Sequence, residues 1–187
     1  MHEMRKTRTV IPAAVMLLGL GIGMSAKCAG DGFLARFDGA IGADPLGVAS
    51  VQIVSGSPDG QVSSTGGNVV RGVLSAGRIW RIGDLKADVH ADGRIKVRGK
   101  GLLLASGNRI GQSANIVVFA TLICDLTTFA QYSTATTGVQ VDPSGDFRID
   151  DTLNPVPSEC SSPALLIRSV ANGQWFAAGI PKLGDDD

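Results

Sequence analysis

Aromatic side chains are scarce in this chain of 187 residues, which has six phenylalanines, two tryptophans and one tyrosine. Stacking platforms for sugar rings or unpaired bases need such rings, so neither is expected here. Histidine is scarcer: there are two, His2 and His90. His2 lies in a leader-like segment, so a Ser-His-Asp site would have to use His90. No Gly-x-Ser-x-Gly elbow is present to supply its nucleophile. Cys-x-x-Cys and Cys/His spacings are missing, which argues against structural zinc. Gly19, Gly21 and Gly23 mimic a dinucleotide fingerprint, but they fall in an apolar leader, and no Walker loop follows. Net charge is also absent: 17 basic and 17 acidic side chains cancel. Bulk charge therefore implies no polyanion partner, and no nucleic acid is expected. No stretch combines helical periodicity with a cap and a stop signal. No cofactor is expected.

The first 26 residues form a secretory leader. Arg5, Lys6 and Arg8 make a positive start, residues 11–24 are uncharged and apolar, and Ser25-Ala26 supplies small residues for cleavage. The apolar run is shorter than the ~20 residues a membrane-spanning helix needs, and no later run approaches that length. Once the leader is cleaved, no membrane span is expected. Removing it leaves 14 basic and 16 acidic side chains, a net of −2. The alternative is tethering, through an uncleaved leader or an acylated Cys28. Lys27 precedes Cys28, where lipid attachment favours a small residue. The expected organisation is a leader (1–26), one β domain (27–182) and an acidic tail (183–187). The expected location is the periplasm or the exterior.

An oxidising compartment pairs cysteines. Cys124 lies in the apolar run 116–126 and Cys160 in a segment rich in proline and serine. The expectation is a Cys124–Cys160 disulfide, closing a loop of roughly 36 residues.

Glycine is abundant, with 25 residues, and it punctuates short apolar runs. Three turns end in it: Ser57-Pro58-Asp59-Gly60, His90-Ala91-Asp92-Gly93 and Asp142-Pro143-Ser144-Gly145. Each fits a three-residue hairpin loop whose last residue is left-handed. For the middle turn the side-chain pattern selects the register. With Ala91, Asp92 and Gly93 as the loop, Val89 faces Ile95 and Ala87 faces Val97. The opposite face then pairs Asp88 with Lys96, Lys86 with Arg98 and Asp84 with Lys100. For the third turn the same logic sets Val141 opposite Phe147 and Val139 opposite Ile149. Further strand candidates are 34–38, 48–55, 69–74, 79–82, 164–170 and 175–180. Runs 101–105 and 116–126, apolar on both faces, are candidate central strands. Residues 154–163 read as a crossing loop.

The fold expected is all-β: an antiparallel β-sandwich or partly open β-barrel of about ten short strands after the signal helix. Its expected core is Val51, Ile53, Leu85, Val89, Ile95, Val97, Leu103, Val117, Phe119, Leu122, Val141, Phe147, Leu166 and Phe176.

Two clusters are candidate sites. Lys86, Arg94, Lys96, Arg98 and Lys100 share one strand face and could meet a polyanion, although Asp84 and Asp88 stand opposite two of them. Asp142, Asp146, Asp150 and Asp151 gather around the third turn and could bind calcium, although no EF-hand spacing is present. No catalytic residue is singled out. The expected function is a non-catalytic exported module, binding or structural at the cell envelope or outside the cell. The partner classes left open are an anionic envelope polymer and another envelope protein. The alternative function is a small exported hydrolase using carboxylates or a bound metal.

Overall fold

The computed structural model describes residues 32–45 and 68–182, with the backbone alone of 51–53 and 62–64. The expected leader, Cys28, the first glycine turn and the acidic tail lie outside the described residues, as do the side chains of Val51 and Ile53. The strands are β1 (Phe33–Gly42), β2 (Val51–Ile53), β3 (Val62–Ser64), β4 (Val69–Val70), β5 (Val73–Leu74), β6 (Trp80–Arg81), β7 (Asp84–His90), β8 (Arg94–Lys100), β9 (Leu103–Leu104), β10 (Val117–Cys124), β11 (Ala130–Ser133), β12 (Val139–Gln140), β13 (Phe147–Thr152), β14 (Ala164–Ser169) and β15 (Trp175–Pro181). No helix occurs among the described residues.

Nine strands form one antiparallel sheet in the order β11-β10-β14-β15-β1-β7-β8-β13, with β12 also paired to β10. β11 and β12 line the same edge of β10 in succession. From there the chain turns into β13, which pairs with β8 at the other end of the sheet. Ser133, at the end of β11, bridges to Asn154 just past β13. The two ends of the sheet thus face each other and the ring is nearly closed, a barrel-like form rather than two separate sheets.

The β7–β8 hairpin has the register expected from its side chains, Val89 opposite Ile95, Ala87 opposite Val97 and Lys86 opposite Arg98. Gly93 takes φ +86 at the end of the loop, a conformation that glycine adopts without steric cost. Leu85, Val89, Ile95 and Val97 are completely buried, while Arg94, Lys96, Arg98 and Lys100 alternate outward. Gly99 breaks the inward apolar series for a reason of space. It stands between Leu85 and Phe147, and a Cβ there would come 2.2 Å from the Phe147 ring.

The third glycine turn forms at its tip. Asp142 N–H donates to Asp146 O at 3.0 Å, and Gly145 N–H donates to Asp142 O at 3.0 Å. Beyond the tip the arms separate, which the hairpin expectation did not include. Val139 and Gln140 join β10, while Phe147 onward joins β8. Val139 and Ile149 still line one small cavity of about 70 Å3 at this seam. The seam is therefore where the ring almost shuts.

Two other expectations change. Residues 69–74 are not one strand but a tight hairpin, β4–β5. Arg71 (φ 46) and Gly72 (φ 81) form its two-residue turn with both φ positive. Residues 101–105 are not a central strand. Only Leu103–Leu104 is paired there, with β6 outside the ring. Leu102 and Leu104 are buried while Leu103 is half-buried. β10 is central as expected, paired along both edges.

The double-sided apolarity of β10 and β14 has a visible cause. Leu165 and Ile167 alternate with Leu166, yet all three are fully buried, as is Ile123. The β4–β5 hairpin is tied over this side by Arg71, which donates to the carbonyls of Ile123 (2.8 Å) and Ser162 and to the Ser162 hydroxyl (3.0 Å). Each such side chain withdrawn from water contributes about 1.5–3 kcal/mol of gross driving force.

Candidate functional site

The outer face of β1, β7, β8 and β13 collects most of the expected site residues. Their position follows from alternation: every second residue of these strands points away from the core. The registers align them in rows. One row runs Asp38, Lys86, Arg98, Arg148, and the next runs Arg36, Asp88, Lys96, Asp150. Lys100 stands opposite Asp84, and Arg94 opposite Thr152.

The second row alternates in sign; the first does not. Ion pairs on this face include Arg36–Asp88 at 3.3 Å, Lys86–Asp38 at 3.8 Å, Arg148–Asp150 at 3.5 Å and Arg94–Asp92 at 2.7 Å. All eight side chains are roughly half exposed or more, so each pair contributes at most about 1 kcal/mol. Among the described residues, Lys96, Arg98 and Lys100 have no ion pair or side-chain hydrogen bond. Arg98, Lys100 and Arg148 border a shallow depression of about 470 Å3 that Asp142 and Asp146 also line.

The four aspartates around the third turn divide into two pairs, Asp142 and Asp146 at the depression, Asp150 and Asp151 at the seam cavity. Asp142 sits at the tip, where its carboxylate accepts from the Ser144 hydroxyl (2.6 Å) and the Asp146 N–H (2.9 Å). Those two bonds, the hydroxyl first, hold its carboxyl below the usual aspartate range. Asp146 accepts from Gly101 N–H at 3.0 Å. Asp150 lies on the outer face with Arg148. Asp151 borders the seam cavity and accepts from the N–H groups of Ala135 (2.8 Å) and Thr152 (2.7 Å). Among the described residues no group of three or more histidines, cysteines or carboxylates converges as a metal site would require. Asp142, Asp146 and Asp151 accept from turn and loop amides, and Asp150 pairs with Arg148.

Cys124 and Cys160 form a disulfide with Cα atoms 4.8 Å apart, which is consistent with an exported chain. Cys124 closes β10 and is 3% exposed. The next residue, Asp125 (φ 56), organises the loop into β11. Its carboxylate accepts from the Thr127 and Thr128 N–H groups at 2.8 and 2.7 Å and from the Thr128 hydroxyl at 2.7 Å. These bonds, the Thr128 hydroxyl foremost, push its carboxyl far below the ordinary range. Among the described residues no helix is long and apolar enough to cross a membrane.

Three arginines escaped the sequence reading as positioned groups. Arg71 ties down the β4–β5 hairpin, Arg81 lines a groove between β6 and β9, and Arg168 lies over the Phe119 ring at 5.2 Å. Arg168 donates to Gly173 O, the Thr121 hydroxyl and Gln131 Oε1, and desolvation lowers its affinity for the proton. A lone basic residue flanked by apolar ones signals such a role, but the sequence does not say which carbonyl it reaches. Comparison of the chain with family models, with curated proteins and with solved structures finds no match.

Proposed function

We propose that the chain is an exported, non-catalytic β module that binds an anionic polymer of the cell envelope through the outer face of β1, β7, β8 and β13. The observation that carries this reading is the row Lys86, Arg98, Arg148 across three adjacent strands. Only Asp38, at one end, neutralises it by an ion pair along the row. Like charges set opposite each other on a sheet repel, so an anion seated over Arg98 offsets a cost already present in the free protein. Lys96 and Lys100 flank Arg98 on the same strand face and extend the track along it. The disulfide and the leader-like N-terminus support export. The carboxylate hydrolase gains no support from the aspartates, whose oxygens are engaged by turn amides or by Arg148.

Retention on an immobilised polysulfated or polyphosphorylated matrix tests the reading. Lys96→Ala with Arg98→Ala is expected to elute at lower salt, with the slope of log affinity against log salt reduced by about one per cation removed. Elution unchanged from wild type would refute the polymer site.

A further inference from the structure

We infer that the groove between β6 and β9 is a binding site for a small amphipathic anion, a single hydrocarbon chain with one anionic head, taken up as a monomer from solution. The groove measures about 380 Å3, within the roughly 300–1,000 Å3 of small-ligand pockets. That size suits a small molecule and not a folded partner. Its apolar side chains are Ile82, Leu103, Ala105 and Ile110, and Ile110 is 65% exposed. Arg81 is the one charged side chain among the lining residues.

The local fold explains this composition. In the β6–β9 ladder Trp80 pairs with Leu104 and Arg81 with Leu103. Trp80 and Leu104 turn to the core, which sends Arg81 and Leu103 to the opposite face, side by side over the groove. The following loop is closed by Gly111 N–H to Leu104 O (2.8 Å) and Leu104 N–H to Gln112 O (3.0 Å), which holds Ile110 at the margin. Gly83, Gly101 and Gly111 line the groove without side chains of their own. The nearby amides are already used: Gly83 N–H donates to Lys100 O, and Gly101 N–H to the Asp146 carboxylate. Peptide groups therefore do not compete for the ligand head. Arg81 is exposed and has no hydrogen bond or ion pair among the described residues. An apolar trough with one unengaged guanidinium complements a hydrocarbon body carrying a carboxylate, sulfate or phosphate, since a charged head is held by paired N–H donors.

The test uses isotope-labelled protein and sodium decanoate below its micelle concentration, followed by backbone amide shifts. Shifts concentrated at Gly83, Gly101, Leu104 and Gly111 are expected. Arg81→Glu is expected to weaken binding about tenfold or more, the loss of a charge-assisted hydrogen bond, and Ile110→Glu to weaken it as well. Both residues are exposed, so folding is retained. Decanol, without the charge, is expected to bind more weakly than decanoate. The Lys96→Ala, Arg98→Ala protein is expected to bind decanoate as wild type does, so this site and the polymer face stand or fall separately. No shifts at these amides, equal affinity in Arg81→Glu, or shifts produced only by anionic vesicles would each overturn the assignment, the last by making the groove a membrane contact.

Discussion

At the scale of single residues, polar side chains hold the loops in shape by accepting backbone hydrogen bonds. Asp125 is the fullest case, with its carboxylate gathering the amides of Thr127 and Thr128 and the Thr128 hydroxyl. Its folded pKa lies below that of the unfolded chain. The charge therefore adds stability that is complete above the unfolded value of ~3.9 and fades as pH falls further, toward the folded value. Asparagine tolerates the left-handed conformation at this position but lacks the charge. Asp125→Asn is expected to lower the urea midpoint at about pH 6 and to differ much less from wild type at about pH 2, where both side chains are neutral or nearly so in the unfolded chain. An equal gap at both pH values would show that the charge does not set the loop. Asp142 works in the same way at the third turn, through Ser144 and Asp146.

At the scale of elements, the disulfide joins the end of β10 to the loop before β14 and encloses β11, β12 and β13. Removing it by Cys124→Ala with Cys160→Ala is expected to cost about 4 kcal/mol through the freed 36-residue loop. Urea unfolding measures this, and a loss under about 1 kcal/mol would mean that the loop is restrained by other contacts. The bridge was inferred from the leader and the cysteine count, and the β7–β8 register from alternation alone. Both rest on short-range or pairwise logic that a sequence carries. What a sequence does not carry is which strand a two-residue segment will join. Val139 and Gln140 look like the first arm of a hairpin ending at Gly145, yet Val118 and Val117 capture them. β11 was not anticipated because Ala130, Gln131, Tyr132 and Ser133 show no clear apolar alternation. Its pairing is supplied by β10. Residues 69–74 read as one apolar run because Arg71-Gly72 is not a common turn dipeptide. The candidate site divides similarly. The outward face of β8 follows from period two, but the rows that bring Arg148 beside Arg98 and Asp150 beside Lys96 depend on β13 crossing the seam to pair with β8.

At the scale of the whole molecule, strand pairing is uneven around the ring. β7 is paired on both edges, to β1 and β8, whereas β12 contributes two residues to the sheet and borders the seam cavity. Amide exchange is expected to be slowest in β7 and faster at Val139 and Gln140, because opening the seam breaks few contacts. Equal protection at both places would mean that the ring opens only by global unfolding. Of the strands that carry the rows of charge, β1, β7 and β8 are paired along both edges, so a ligand there would meet a preformed surface, whereas Arg148 and Asp150 stand on β13 at the seam.

The near meeting of the two sheet ends also governs how neighbouring copies can associate. A strand left at the border of an open sheet exposes a ladder of unused donors and acceptors, onto which another chain can add. Here the terminal strands turn toward each other, with Asn154 N–H already bonded to Ser133 O at 2.8 Å. Among the described strands, the nine-stranded ring thus offers copies crowded together little border to extend into a shared fibril, and the pairs outside it, β2–β3, β4–β5 and β6–β9, are only two or three residues long. Among the described residues, outward apolar side chains such as Leu126, 67% exposed, and Ile110, 65% exposed, are the contacts through which clumping is expected. Polar replacements at those two positions, and not redesign of the strands, are the route to a more concentrated solution.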